Sequence, residues 1–269
     1  MPDHDRHTFD ASVFISVANV VYVLLAVSLL TLAGCMPLIL TLLFVSGTLL
    51  YPIVLLGVVL SVPAIAAAFA MFRSHRIFLS SVRRKALSAF EGHGRELPAW
   101  IAPPYVHQDA DAAIIRPYLR SYRRLFVPAL AIALVCASIE FLIALDARLL
   151  LQLRWGVLLL PLFVFLAVLI VESGLVALAL RVEFPKATWK ALVRNACVIP
   201  IRRFLSTAGN VLFMVAYMWS AHQLPVLSLV LGTGPLLLVL WAGVRWQIQP
   251  LALKMAEESN DAFVIALYA

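Results

Sequence analysis

Between Val13 and Phe72 the chain carries no Asp, Glu, Lys or Arg. A soluble domain cannot bury an uncharged apolar run of that length. A membrane accommodates it readily, because one helical crossing of the hydrocarbon layer takes about 20 residues. Gly34, Pro37, Gly47 and Pro52 interrupt the run and divide it into two crossings. The whole chain follows the same rule: 63% of its 269 residues are hydrophobic and 13% charged, where soluble domains have about 45–50% and about 25%. In hydrocarbon every backbone N–H and C=O needs an internal partner, which leaves helices as the spanning element for runs of this length. The expected fold is an all-α polytopic membrane bundle forming one transmembrane domain over 1–269, with too little chain left outside for a separate catalytic domain.

Six spans are expected, at about 13–33, 49–72, 125–145, 155–180, 204–222 and 225–245, with residues 36–46 as a short outer or re-entrant piece and five or seven helices as the other counts. All but two of the 21 Lys and Arg residues then fall on one side; the exceptions are Arg148 and Arg154. Cytoplasmic loops retain positive charge, so the N- and C-termini and the segments 73–124 and 181–203 are expected in the cytoplasm. Trp155, Trp219, Trp241 and Trp246 fall at span ends, as interfacial aromatics do.

The segment 73–124 begins with an amphipathic stretch. Helical spacing puts Phe78, Val82, Ala86 and Phe90 on one face, with Arg76, Arg83, Arg84 and Lys85 around the rest, a helix suited to the headgroup layer. Gly92, Gly94, Pro98, Pro103 and Pro104 then break regular structure, and Trp100 and Tyr105 mark a loop resting on the interface. Candidate contacts to lipid or to a partner are Arg83, Arg84, Lys85, Arg123, Arg124, Arg202 and Arg203. A faint echo relates Tyr122-Arg123-Arg124-Leu125-Phe126 to Ile201-Arg202-Arg203-Phe204-Leu205; the positive-inside rule alone also produces such pairs.

Within the expected spans the carboxylates are Glu140 and Glu172. An ionisable group in hydrocarbon is a functional candidate because its burial is costly. Depth places Glu140 level with His222, and Glu172 within reach of Asn19 and Asn210. These five residues form a candidate intramembrane polar site, either a proton or cation relay or a set of packing contacts in which a neutral Glu172 donates a hydrogen bond. Ser173, Gly174 and Ala177 favour close helix packing beside it. Cys35, Cys136 and Cys197 are an odd, dispersed set, expected as small apolar packers. Leu32-Ala33-Gly34-Cys35 has the form of a lipobox, but the acidic arm before it, the long apolar run and the apolar continuation after Cys35 oppose lipidation. Metal, nucleotide and nucleophile motifs are lacking, the six histidines are scattered, and Gly232-Thr233-Gly234-Pro235 has no strand-then-helix context. No cofactor, no enzymatic activity and no nucleic-acid partner is expected.

Several stretches resemble the YesL-like family of bacterial integral membrane proteins of unknown function. They are Asn19, Met36-Pro37-Leu38, Pro63-Ala64-Ile65-Ala66-Ala67-Ala68-Phe69, Tyr118-Leu119-Arg120-Ser121-Tyr122-Arg123-Arg124 and Trp189-Lys190-Ala191-Leu192-Val193-Arg194-Asn195-Ala196. The resemblance spans most of residues 13–245, with 38–62 and 91–113 as extra length. It implies an accessory or regulatory role beside a carbohydrate ABC importer in the bacterial inner membrane, and it transfers no catalytic or binding residue. The importer's own permease is a weaker reading, because 185–203 is basic and amphipathic but lacks the Glu-Ala-Ala loop and its Gly. The competing function is a small transporter or channel using Glu172 or Glu140.

Overall fold

The computed structural model describes residues 4–45, 47, 50–92, 97–106, 114–153 and 155–268. Arg95, Gly94, Gln108 and Arg154 lie outside the described residues, as do the side chains of Ser81 and Phe90. Among those described the chain is all-α, and six helical segments are long and apolar enough to cross a membrane.

In chain order, α1 (His4–Gly34) crosses first and α2 (Met36–Phe44) follows as a nine-residue helix. Next come α3 (Leu50–Ser74), α4 (Ser81–Gly92), α5 (Ile115–Leu150), α6 (Leu160–Glu183), α7 (Trp189–Arg202) and α8 (Phe204–Gln223). After α8 the chain passes through α9 (Pro225–Leu227) and a π-helical turn at Ser228–Gly232 into α10 (Thr233–Glu258), and ends in α11 (Ala262–Tyr268). The short piece expected at 36–46 is therefore α2, which lies against α3 so closely at Gly57 that a Cβ there would stand 2.7 Å from Thr41 Oγ1 and 3.0 Å from Leu38 Cα.

At the centre of the bundle is α3, packed on α1, α2, α5, α6 and α10. Ala64, Ala66, Ala67 and Ala68 are fully buried, and side chains this small let neighbouring backbones come close, the main source of van der Waals adhesion between helices in lipid. Tyr118 of α5 uses that proximity: its hydroxyl donates to the Ala64 carbonyl at 3.0 Å and shares a 3.3 Å bond with Thr31 of α1. At the start of α10 the Gly234 N–H, one of the donors left over at a helix N-terminus, is satisfied by Ser28 Oγ at 2.6 Å.

Four expectations change. First, α5 starts well before residue 125, so Tyr118 and Ser121 are buried against the bundle and Arg123 and Arg124 sit inside an unbroken helix, whereas Arg202 and Arg203 flank the break between α7 and α8. The two echoed sequences thus adopt different local structures. Second, the amphipathic stripe of α4 is rotated: Arg83 and Ala86 are buried while Val82 is exposed. Third, the loop at 97–106 is folded into the protein, with Ile101, Ala102, Tyr105 and Val106 buried. Fourth, Trp241 is a core residue packed on Phe69 at a 5.4 Å ring separation, while Trp155, Trp219 and Trp246 are exposed.

A Cβ at Gly234 would run into the Leu24 carbonyl and stand 2.7 Å from Ser28 Oγ, whereas one at Gly209 meets nothing within 4 Å. Gly234→Ala is expected to lower stability by about 1–3 kcal/mol through overpacking of α1 on α10. Gly209→Ala should be neutral or stabilising by up to about 1 kcal/mol through helix propensity. Denaturation of both variants in detergent micelles checks the pair; equal effects would contradict the close α1–α10 crossing.

Candidate functional site

The inner face of α6 carries two buried carboxylates. Glu172 and Glu183 are eleven residues apart, about three turns at 3.6 residues each, so both project to the same side. Each organises a different group of polar side chains.

Glu172 has no solvent exposure, and Asn210 Nδ2 of α8 donates to its Oε2 at 3.1 Å. Asn210 fits because α10 has Gly243 opposite it, where a Cβ would fall on Asn210 Oδ1. One turn along, Ser206 Oγ donates to the Gly243 carbonyl at 3.3 Å, Gln247 Nε2 donates to Thr207 Oγ1 at 3.3 Å, and Thr207 Oγ1 donates to the Pro200 carbonyl at 3.0 Å. The result is a polar seam joining α6, α8 and α10. Of the expected members, Asn210 joins Glu172, whereas Asn19 is exposed on α1 and is not a hydrogen-bond partner of that carboxylate. Glu140 is half-buried on α5 beside Tyr51, whose hydroxyl donates to the Glu140 backbone carbonyl at 3.1 Å; His222 is exposed on α8, and no bond joins it to Glu140 among the described residues. The five-residue polar site is thus reduced to a Glu172–Asn210 pair.

Glu183 falls in the segment 181–203 expected outside the spans, but it is 2% exposed at the last turn of α6. Arg73, at the end of α3, donates from Nε to Glu183 Oε2 at 2.6 Å, and Arg83 of α4 donates from Nη2 to Oε1 at 3.2 Å. A buried ion pair is tolerable only when its remaining donors are satisfied. For Arg73 the folded loop does this: Nη2 donates to the Ala102 carbonyl at 2.8 Å and Nη1 to that of Pro103 at 3.3 Å. The Ala102 N–H returns a 3.0 Å bond to the Glu183 carbonyl.

Aromatic rings close the group. Tyr105 donates its hydroxyl to the Val182 carbonyl at 3.1 Å and takes the Arg73 and Arg124 guanidinium groups at 5.7 and 5.3 Å from its ring centre. Burial pushes the Tyr105 hydroxyl above its ordinary pKa, and the neighbouring Arg73 opposes that shift in part, so it stays a neutral donor. Trp100, Phe184 and Tyr268 form a ring cluster with centroid separations of 5.8 to 6.3 Å, and Arg83 lies over Tyr268 at 5.7 Å. One carboxylate therefore ties together the ends of α3 and α6, helix α4, and the 97–106 loop. Among the other basic residues singled out, Lys85, Arg123, Arg124 and Arg202 are exposed, Arg84 donates to the Leu79 carbonyl at 3.3 Å, and Arg203 stacks over Trp246 at 4.9 Å. No group of three or more His, Cys, Asp or Glu capable of holding a metal occurs among the described residues.

The two carboxylates should respond differently to the same substitution. Glu183→Gln leaves two buried guanidinium groups without a counter-charge and is expected to cost about 3–5 kcal/mol. Glu172→Gln keeps a partner for Asn210 and should cost under about 1 kcal/mol, while Glu172→Leu loses about 0.5–2 kcal/mol of interhelical hydrogen bonding. Melting of the three variants in one detergent checks the ranking, which equal losses for Glu172→Gln and Glu183→Gln would overturn.

Compared with protein-family models, curated proteins and solved structures, the chain matches none of them, and the likeness to the YesL-like family rests on its residues alone.

Proposed function

We propose that this multi-pass membrane protein is a non-enzymatic accessory subunit that holds a membrane partner at its basic, cytoplasmic end. The observation carrying this reading is α7. Thr188 Oγ1 caps its first turn, accepting from the Ala191 N–H at 3.4 Å, and Leu192, Ala196 and Pro200 are buried in the face packed on α6. The remaining surface exposes Trp189, Val193, Val198 and Ile201 together with Lys190, Arg194 and Arg202. A helix fixed on one face, with apolar and cationic groups on the other, suits a partner that itself lies at the headgroup layer. Arg181 over the Trp189 ring at 5.7 Å holds the leading aromatic in place. The YesL-like resemblance makes a carbohydrate ABC importer of a bacterial inner membrane the partner to test first.

The second reading, a small transporter or channel, draws on the seam from Glu172 through Asn210 to Thr207 and Gln247. Pure protein in liposomes separates the two. Substrate- or proton-dependent flux abolished by Glu172→Gln favours transport and would displace the accessory reading.

Cys197 is exposed on α7, whereas Cys35 and Cys136 are half-buried. In native membranes a thiol-directed cross-linker at Cys197 should join the chain to an importer subunit, and Val193→Asp with Ile201→Asp should abolish the adduct while leaving the bundle folded. Adducts that persist in that double variant contradict docking through α7. For orientation, with Cys35 and Cys136 replaced, Cys197 in intact cells should react only with membrane-permeant maleimides, and a cysteine at Gln152 should react with impermeant ones. The reverse pattern would invert the topology.

A further inference from the structure

The group around Glu183, a cap formed by the ends of α3 and α6, helix α4 and the 97–106 loop, has more cations than carboxylates among the described residues. Arg73 and Arg83 share the single carboxylate of Glu183, and Arg245 of α10 lies close enough to all three to interact electrostatically with each. Arg245 itself forms no ion pair among the described residues. Arg83 commits only Nη2 to Glu183; its buried Nε and Nη1 have no hydrogen-bond partner among the described residues. Buried donors are almost always satisfied in folded proteins, and among the described residues three guanidinium groups surround one carboxylate at this corner.

Arg83, Arg245 and Tyr268 line a half-open cavity of about 530 Å³ between α4, α10 and α11. Its α10 wall is graded. Leu238, Trp241 and Ala242 lie toward the middle of the crossing, and Arg245, Trp246 and Gln249 follow toward the basic end, all on one helical stripe. From Leu238 to Gln249 the rise is about 16 Å at about 1.5 Å per residue. Apolar surface at hydrocarbon depth passing into paired cations at headgroup depth fits an amphiphile with an anionic head. A free anion would fill the Arg83–Arg245 end and leave the Leu238–Trp241–Ala242 wall bare.

We propose that this cavity binds an anionic phospholipid, its phosphate received by Arg83 and Arg245 and its acyl chain laid along Leu238, Trp241 and Ala242. Guanidinium donors suit phosphate because their planar N–H groups match its oxygens and the bonds are charge-assisted. The phosphate sits between the Arg83 and Arg245 side chains that line this end of the cavity and serves as counter-ion to both. It thereby supplies negative charge where, among the described residues, one carboxylate faces three guanidinium groups. The lipid site is separate from the exposed face of α7, and its test involves no protein partner.

The experiment is thermal melting of the purified full chain in an uncharged detergent, titrated with dihexanoyl phosphatidylglycerol, dihexanoyl phosphatidylcholine or inorganic phosphate. Phosphatidylglycerol should raise Tm saturably, and phosphatidylcholine should not. Arg245→Gln should keep the lipid-free Tm or raise it, because it relieves like-charge repulsion, while weakening the phosphatidylglycerol response about tenfold, as expected for loss of one charge-assisted contact. Ala242→Phe, which fills the apolar wall and leaves both arginines in place, should weaken it as well. Equal stabilisation by both lipids, or an unchanged phosphatidylglycerol response in Arg245→Gln, overturns the site. A lowered lipid-free Tm in Arg245→Gln also overturns it, by making Arg245 a packing residue. Full stabilisation by inorganic phosphate, undiminished in Ala242→Phe, overturns the lipid and leaves a soluble phosphate as occupant.

Discussion

The attraction between Glu183 and the guanidinium groups of Arg73 and Arg83 takes place out of contact with water, where charge interactions are screened least. That setting makes the group strong and also exacting. The remaining Arg73 donors have to find acceptors, and the chain provides them by folding the 97–106 loop back so that the Ala102 and Pro103 carbonyls meet Arg73. The loop is then tied to α6 through the Ala102 N–H, and Tyr105 bonds to both Ser74 and Val182. Much of the polypeptide on the basic side is thus part of a packed cap.

Beneath the cap the bundle is held by a different kind of contact. Lipid tails compete with apolar side chains for the same surfaces, so small residues and shared hydrogen bonds decide which helices touch. Ala64 to Ala68 on α3, Gly234 against α1 and Gly243 against Asn210 mark the close approaches. Glu172 contributes to this lower layer as one more interhelical bond. The cap and the bundle meet along α10, which gives Gly243 and Gln247 to the polar seam and Arg245 to the cationic corner. The basic end faces outward at α7 and at the corner lined by Arg83 and Arg245.

The crossings were legible because an apolar run bounded by charge has one physical meaning at this length. Their ends were less so. Closing the fourth span at residue 180 put Glu183 in a loop, although its eleven-residue spacing from Glu172 already placed both on one helical face. Arg73 carried a similar signal, lying four residues after the buried Phe69. The rotation of α4 could not be read from spacing: Phe78, Val82, Ala86 and Phe90 make a good stripe, and Arg83 turns inward only because a carboxylate from a helix 100 residues later in the chain awaits it. Asn210 was found because depth and polarity agree across neighbouring spans. Asn19 satisfied the same depth argument, but depth says nothing of which way a side chain faces around its helix, and Asn19 is exposed.

The central claim, that one buried carboxylate holds the cap on the bundle, is tested most directly by hydrogen exchange of the Ala102 amide. That N–H bonds to the Glu183 backbone carbonyl, which Glu183→Gln leaves chemically unchanged, so any loss of protection reports on the side-chain ion pairs. Ala102 is expected to be protected in the wild-type chain and to exchange faster by about 100-fold or more in Glu183→Gln, in keeping with the loss of about 3–5 kcal/mol from a broken buried pair. The amides of α3 around Ala66 to Phe69 should stay protected. Equal Ala102 protection in the two proteins would contradict the claim and show that the loop is held by its packing and backbone hydrogen bonds without the ion pairs.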